Sequence, residues 1–240
     1  FQMFDQIPTM DYGCLSKFCN AYMKYNLHKK IKYSMFSRID HLNEKKLKIL
    51  GKSGCALLRV GIESGDPAIR EDVYQKKISD SRIKKIFRIA KKYGVDFTAF
   101  FILGGPNENK ITINKTINFA RELNAGRSAF FVYKPFTKES IKQIEKYGGR
   151  VDKKRWENAD NITFKAVVNL KELTPRQVEF LQKRAYFLTF GKRLLKMIKT
   201  QNINYFYRFL IYMTKGINLG LDINYLLPYY HIYGYDNVDK

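Results

Sequence analysis

The sequence predicts an α/β fold built on a parallel sheet. Apolar runs of strand length alternate with amphipathic helical segments five times before residue 136, and this alternation favours parallel strands joined by right-handed crossovers. In addition, two successive apolar runs end in glycine plus a carboxylate, the first at Glu63 and the second at Glu108. Folds of this class place their binding sites at the carboxyl ends of the strands.

Each element follows from a local pattern. The predicted strands are apolar or alternating runs bounded by turn residues, and they cover the first few residues, 32–38, 57–62, 97–103 and 128–135. The predicted helices carry one apolar stripe and mostly begin at a polar cap, and they cover 11–27, 43–50, 68–73, 79–94, 110–123 and 140–147. Thr9 or Asp11 is the predicted cap of the first helix. Strand and helix therefore alternate as far as the sixth helix.

A different composition follows the last predicted strand. Thr174, Pro175 and Gln177 form a capping box with proline in the first helical turn, which predicts a new helix there. Residues 201–240 are rich in tyrosine and phenylalanine but too interrupted by charges for a membrane span. We therefore divide the chain into a barrel-like part (1–140), a helical segment (141–200) and an aromatic tail (201–240).

The net charge of +22 lies entirely in residues 1–200. Such a field attracts nucleic acid, anionic lipid or an acidic substrate. The alternative is a biased composition, since the lysines are scattered over predicted helix surfaces among many Ile, Asn, Tyr and Phe residues. The aromatic tail has two interpretations as well: contact with a membrane surface, or packing against the barrel or a further domain.

The three cysteines have no regular spacing, which argues against a disulfide scaffold and favours a reducing, cytoplasmic location. Cys14 and Cys19 are five positions apart in a predicted helix, so they should face different sides and not form a metal pair. The chain begins at Phe1 without a signal-peptide pattern. We expect it to be a fragment whose preceding part is missing.

Two motifs resemble those of the radical S-adenosylmethionine (radical SAM) superfamily. They are Gly61-Ile62-Glu63-Ser64-Gly65 and the run from Phe101 to Glu108, Phe-Ile-Leu-Gly-Gly-Pro-Asn-Glu, with the basic helix 79–94 between them. The resemblance implies a partial (β/α)6 TIM-like barrel comprising strands two to six, followed by a mainly helical C-terminal extension. The tryptophan Trp156 and the aromatic, then basic, run from Tyr186 to Leu195 resemble members that carry a cobalamin-binding domain.

The resemblance also implies cofactors and a chemistry. The family holds a [4Fe-4S] cluster on a Cys-x3-Cys-x2-Cys loop, and an electron from the cluster cleaves S-adenosylmethionine to a 5′-deoxyadenosyl radical. This sequence has no cysteines at that spacing. We therefore expect this chain alone to be inactive, and none of its residues is predicted to bind a metal. Cobalamin is implied for the parent protein, and the substrate is expected to be a small molecule.

The S-adenosylmethionine ligands implied by the resemblance lie at strand ends. Glu63 and Ser64 would accept hydrogen bonds from the ribose, while Ile102 and Gly104 would form a flat slot for the adenine. The remaining candidates share a polar or aromatic side chain at a strand end, and they are Tyr133 for the adenine edge, Arg38 and Asp5. For Arg38 an ion pair with Asp40 or Glu63 is a second interpretation.

Three functions follow. The first is a fragment of a radical SAM enzyme, of the cobalamin-associated type, that carries out methyl transfer or rearrangement at an unactivated carbon. The second is a radical SAM enzyme that modifies RNA, such as a methylthiotransferase, with basic residues clustered at the barrel mouth. The third is a non-catalytic basic α/β binding module.

Overall fold

The computed structural model describes residues 1–4, 7–159 and 164–199, with side chains as far as residue 189. In chain order the elements are β1 (Gln2–Met3), α1 (Tyr12–Lys24), α2 (Leu27–Lys30), β2 (Tyr33–Ser37), α3 (Glu44–Lys52), β3 (Cys55–Glu63), α4 (Pro67–Asp72), α5 (Asp80–Lys92), β4 (Asp96–Leu103), α6 (Lys110–Leu123), β5 (Arg127–Val132), α7 (Lys138–Lys146), β6 (Arg150–Val151), α8 (Lys153–Glu157), β7 (Val168–Asn169) and α9 (Pro175–Lys199).

The strands form a five-stranded sheet in the order β1-β2-β3-β4-β5, and β1 to β4 pair in parallel. The α/β prediction is confirmed. Among the described strands β1 and β5 are the two ends of the sheet, so it is open, as expected of a partial barrel. The short antiparallel pair β6-β7 was not predicted, because two residues per strand give no periodicity to read.

The chain folds into two compact units, and the first comprises Phe1–Phe101 and Glu122–Ala129. Its core packs the buried stripes of α1, α3 and α5 with the inner residues of β2 and β3, and the rings of Phe87 and Phe97 stack with centroids 4.2 Å apart. The apolar stripe predicted for α5 is buried, which confirms that its basic residues form the outer face.

Among the described residues the second unit comprises Ile102–Arg121 and 130–199. Within it α9 packs on the end of β5: the ring of Tyr186 meets that of Phe130 edge-on, with centroids 5.3 Å apart. The Tyr186 hydroxyl accepts a hydrogen bond from the Phe130 amide and donates one to the Phe130 carbonyl, which also accepts a hydrogen bond from Gln182. The capping box predicted at Thr174 is present, because Gln177 Oε1 accepts a hydrogen bond from the Thr174 amide at 2.8 Å.

No helix in the described ranges is long and apolar enough to cross a bilayer. The aromatic tail, residues 201–240, lies outside them. Its predicted packing and membrane contact therefore stay predictions, as do the boundaries drawn at residues 140 and 200.

Candidate functional site

The end of β3 is a strained turn centred on Glu63. Glu63 has φ +67°, in the left-handed region that side chains other than glycine rarely adopt. The amide of Ser64 donates to the carbonyl of Ile62 at 3.0 Å, which closes a three-residue γ-turn around Glu63. The register with β4 also shifts between Gly61 and Glu63. Backbone strain of this kind collects at functional sites, so the turn marks Glu63 as a candidate.

Lys76 meets the Glu63 side chain from the loop after α4. Its Nζ donates to Glu63 Oε1 at 2.6 Å and to the Gly61 carbonyl at 2.8 Å. The side chains of Lys76 and Glu63 are 20% and 16% exposed, so the pair is largely shielded from water. A Cβ at position 61 would lie 2.1 Å from Glu63 Oε1 and 2.9 Å from Lys76 Nζ. Glycine at this position therefore makes room for the ion pair.

Ser64, the other predicted ribose ligand on this strand, is fully buried. Its Oγ accepts a hydrogen bond from the amide of Asp66 at 3.1 Å, and Asp66 in turn caps α4 by accepting hydrogen bonds from the amides of Ala68 and Ile69. The hydroxyl therefore fixes the turn between β3 and α4. Its contact with a ribose stays a prediction.

Arg38 lies at the end of β2 and pairs with Asp40. Its Nε and Nη2 donate to the two carboxylate oxygens at 3.1 and 2.8 Å, in agreement with the ion-pair interpretation. The guanidinium lowers the pKa of the Asp40 carboxyl below its ordinary value. Arg38, Asp40, Gly61 and Lys76 line a cleft of about 20 Å³, which is room for a single water. In this unit the structure therefore brings Arg38, Glu63 and Lys76 to the same cleft or its rim.

In the second unit a buried carboxylate organises the end of β4. Glu108 Oε2 accepts hydrogen bonds from the amides of Gly104 and Gly105 at 2.6 and 2.9 Å, and Glu108 is only 3% exposed. Gly104 has φ +81°, and a Cβ there would lie 2.8 Å from Val178 Cγ1 of α9. The glycine is thus required by the turn and by the approach of α9. Neither contact involves a ligand, so the adenine role of Gly104 and of half-buried Ile102 stays a prediction.

Tyr133 follows β5 and is half-buried. Its amide donates to the Leu103 carbonyl at 2.8 Å, which ties the two strand ends together. The side chain packs against a small cluster formed by Ile144, Val167 and Val168, and burial raises the pKa of its hydroxyl. Packing thus accounts for the ring, and stacking on adenine is untested.

The candidates therefore fall into two groups. Arg38, Glu63 and Ser64 belong to the first unit, and Ile102, Gly104 and Tyr133 belong to the second. Asp5 lies outside the described residues. Sequence reasoning missed Lys76 because no local pattern distinguishes it from the many other lysines. Glu108 lies in one of the two motifs, but its hydrogen bonds with the Gly104 and Gly105 amides are evident only in the structure.

The described residues do not fit a [4Fe-4S] cluster. Cys14 is exposed on α1, whereas Cys19 and Cys55 are buried, which confirms that the first two face different sides. Cys19 Sγ lies 3.7 Å from the Tyr33 hydroxyl, and burial raises the pKa of both inner thiols. Across the described ranges no three Cys, His, Asp or Glu side chains gather as a metal site.

The chain is similar in sequence to proteins named as a methyltransferase and as a cyclase. The uncharacterized methyltransferase PH0819 of Pyrococcus horikoshii is 28% identical over 169 residues, 70% of this chain and 36% of that protein. An anaerobic magnesium-protoporphyrin IX monomethyl ester cyclase of Cereibacter sphaeroides is 25% identical over 57% of this chain and 22% of its own length. The chain thus spans about a third or less of the length of these two relatives.

Two solved structures share the fold. Coproporphyrinogen III oxidase (HemN) of Escherichia coli, a radical SAM enzyme, superposes with a TM-score of 0.54 at 17% identity over 78% of this chain and 40% of its own. The radical SAM methyltransferase TsrM of Kitasatospora setae gives 0.52 at 13% identity over 61% and 30%. The family model of the radical SAM superfamily matches residues 11–120. The matched segment contains the Glu63 turn and the Gly104 loop, so this part of the chain is similar to the radical SAM superfamily, whose members use S-adenosylmethionine and a [4Fe-4S] cluster.

Proposed function

We propose that this chain is part of an enzyme that cleaves S-adenosylmethionine to methionine and a 5′-deoxyadenosyl radical. A one-electron reductant held outside the described residues would supply the electron that reduces the sulfonium, and the bond between sulfur and C5′ would then break. The observation that carries the proposal is the Glu63 carboxylate, held on a strained strand-end turn beside Lys76. A carboxylate so placed is an acceptor for the ribose hydroxyls, and the domain match supports that use.

The protein's own residues would bind and orient the cofactor. Glu63 would accept hydrogen bonds from the ribose hydroxyls, and Arg38 and Lys76, each already paired with a carboxylate, lie at the same rim. Within the second unit, Glu108 fixes the turn at Gly104 by accepting hydrogen bonds from the Gly104 and Gly105 amides. The groups that accept or donate are already positioned, so little side-chain entropy is lost on binding.

The reaction we propose for the complete protein is cobalamin-dependent methyl transfer or rearrangement at an unactivated carbon. Two relatives, one named a methyltransferase and the other a cyclase, support a reaction at carbon. The motif around Trp156 supports the cobalamin-associated subgroup. Cobalamin and the cluster would be held by parts of the protein other than the described residues.

The first test is calorimetric titration of the chain with S-adenosylmethionine. We expect Glu63→Gln to weaken binding about tenfold or more, because a hydrogen bond to a charged acceptor contributes about 1.5–3 kcal/mol. Glu71→Gln is the matched control, since Glu71 is an exposed glutamate eight positions away in the sequence. Equal affinities for the two variants would overturn the assignment of Glu63.

The second test uses the complete coding sequence, expressed without oxygen. Iron near four atoms per chain and release of 5′-deoxyadenosine on reduction would support the proposed reaction. A folded protein with neither would leave the RNA-modifying enzyme excluded as well, and the non-catalytic binding module would take its place.

A further inference from the structure

Arg70 is fully buried, although it lies on the short helix α4 and the next two residues, Glu71 and Asp72, are exposed. Arginine is almost never completely buried unless its charge and its donors are matched. An unmatched guanidinium at this depth would lose its hydration without compensation. The contacts of Arg70 therefore indicate what the side chain does.

The guanidinium joins three segments of the first unit. Nη1 donates to the carbonyl of Ser64 at 2.9 Å, at the end of the γ-turn. Nε and Nη2 donate to the carbonyl of Ile78 at 3.2 and 2.9 Å, in the loop after α4. Nη2 also pairs with Asp80 Oδ1 at 2.5 Å, at the start of α5. One side chain thus fixes the strand end, the loop and the following helix.

The same loop carries Lys76. The Lys76 amide donates to the Arg70 carbonyl at 3.0 Å, while Lys76 Nζ reaches back to Glu63 and Gly61. The strand-end turn and the loop are therefore bridged twice, once by the buried guanidinium and once by the Glu63 ion pair at the cleft. Because Ser64 directly follows Glu63, the inner bridge determines where the outer one can form.

We propose that Arg70 is a positioning residue that sets the Glu63 carboxylate and Lys76 in register. Lysine cannot replace it, because a single ammonium lacks the planar fork that reaches the Ser64 and Ile78 carbonyls together. The inference deepens the proposed function, on which it rests for the use of Glu63 as a ribose ligand. A merely structural Arg70 would affect stability alone.

The first measurement does not involve the cofactor. The folded chain is labelled with an amine-acetylating reagent, and the rate at Lys76 is followed by mass spectrometry. We expect Arg70→Lys to raise that rate about tenfold, because Lys76 loses its partner geometry. Asp80→Asn, which keeps the side-chain size but removes the charge beside Arg70, should raise it less. Arg155→Lys is the matched control, since Arg155 is paired with Glu179 in the second unit.

The second measurement is the dissociation constant of S-adenosylmethionine for Arg70→Lys, Glu63→Gln and the double variant. We expect the two single variants to weaken binding by similar factors. The double variant should bind no more weakly than Glu63→Gln, because both substitutions remove the same interaction. The inference would be overturned if the losses of binding free energy in the two single variants added up in the double variant. It would also be overturned if Lys76 were labelled at the wild-type rate in folded Arg70→Lys and Asp80→Asn. If the complete protein binds no S-adenosylmethionine, the proposed function fails, and the labelling rate alone decides the role of Arg70.

Discussion

The Glu63–Lys76 ion pair should stabilise the fold, and substitution of Lys76 should cost more stability than substitution of Glu63. Its side chains are 16% and 20% exposed, so its strength should lie between that of surface pairs and that of fully buried pairs, at about 1–3 kcal/mol. Lys76→Met removes both donated hydrogen bonds and leaves a shielded carboxylate without this partner. Glu63→Gln leaves Lys76 bonded to the Gly61 carbonyl, so we expect the smaller loss of stability there.

The assay is a double-mutant cycle on the free energy of unfolding in urea, monitored by circular dichroism. Lys77 and Glu71 supply the matched control, since this pair is 87% and 51% exposed with a 3.4 Å separation. We expect their coupling energy to stay below about 0.5 kcal/mol. A Glu63–Lys76 coupling no larger than the control, or a greater loss for Glu63→Gln than for Lys76→Met, would refute the reasoning.

Three further outcomes follow from the described contacts. Tyr186→Phe keeps the ring against Phe130 but removes both hydroxyl hydrogen bonds, so the free energy of unfolding in urea should fall by about 1–2 kcal/mol. Alkylation with iodoacetamide at pH 8 should modify Cys14 alone in the native chain and all three cysteines after denaturation, as mass spectrometry can count, because the other two are buried with raised thiol pKa values. The pKa of Asp40 is lowered by Arg38, so its contribution to stability is complete above the ordinary carboxyl value of 3.8 and is lost as pH falls through the lower folded pKa. When the pH is lowered from 6 to 3, the free energy of unfolding should therefore fall more in the wild type than in Asp40→Asn. The difference should be less than about 1 kcal/mol because the pair is exposed.

Local signals predicted most of the fold. The helix predicted at 110–123 is observed with those bounds, since its apolar stripe and cap lie within one segment. The first helix, predicted to reach Leu27, instead ends at Lys24 and a second short helix begins after Asn26. Asn26 adopts φ +56°, which asparagine tolerates better than most residues. The helix therefore ends and a new one begins at a point where the apolar pattern continues.

The site was predictable only in part, for a related reason. Glu63 lies in a motif that can be read along the chain. Lys76, in contrast, is recognised only by its contact with Glu63, 13 positions away in the sequence. The same holds for Arg70, whose burial depends on three segments meeting. A lysine or arginine among 44 basic residues carries no signal of such a contact in its own neighbourhood.

The strained backbone at Glu63 favours a role for this residue beyond folding. A left-handed backbone at a residue other than glycine costs about 1–2 kcal/mol, and glycine would remove that cost. The chain instead places glycine at 61, where it makes room for the Glu63 carboxylate. Lys76 and Arg70 then hold the strained turn from two sides. A turn needed only to end β3 would not require this arrangement, and this supports the proposal that the surrounding residues position the Glu63 carboxylate for a ligand.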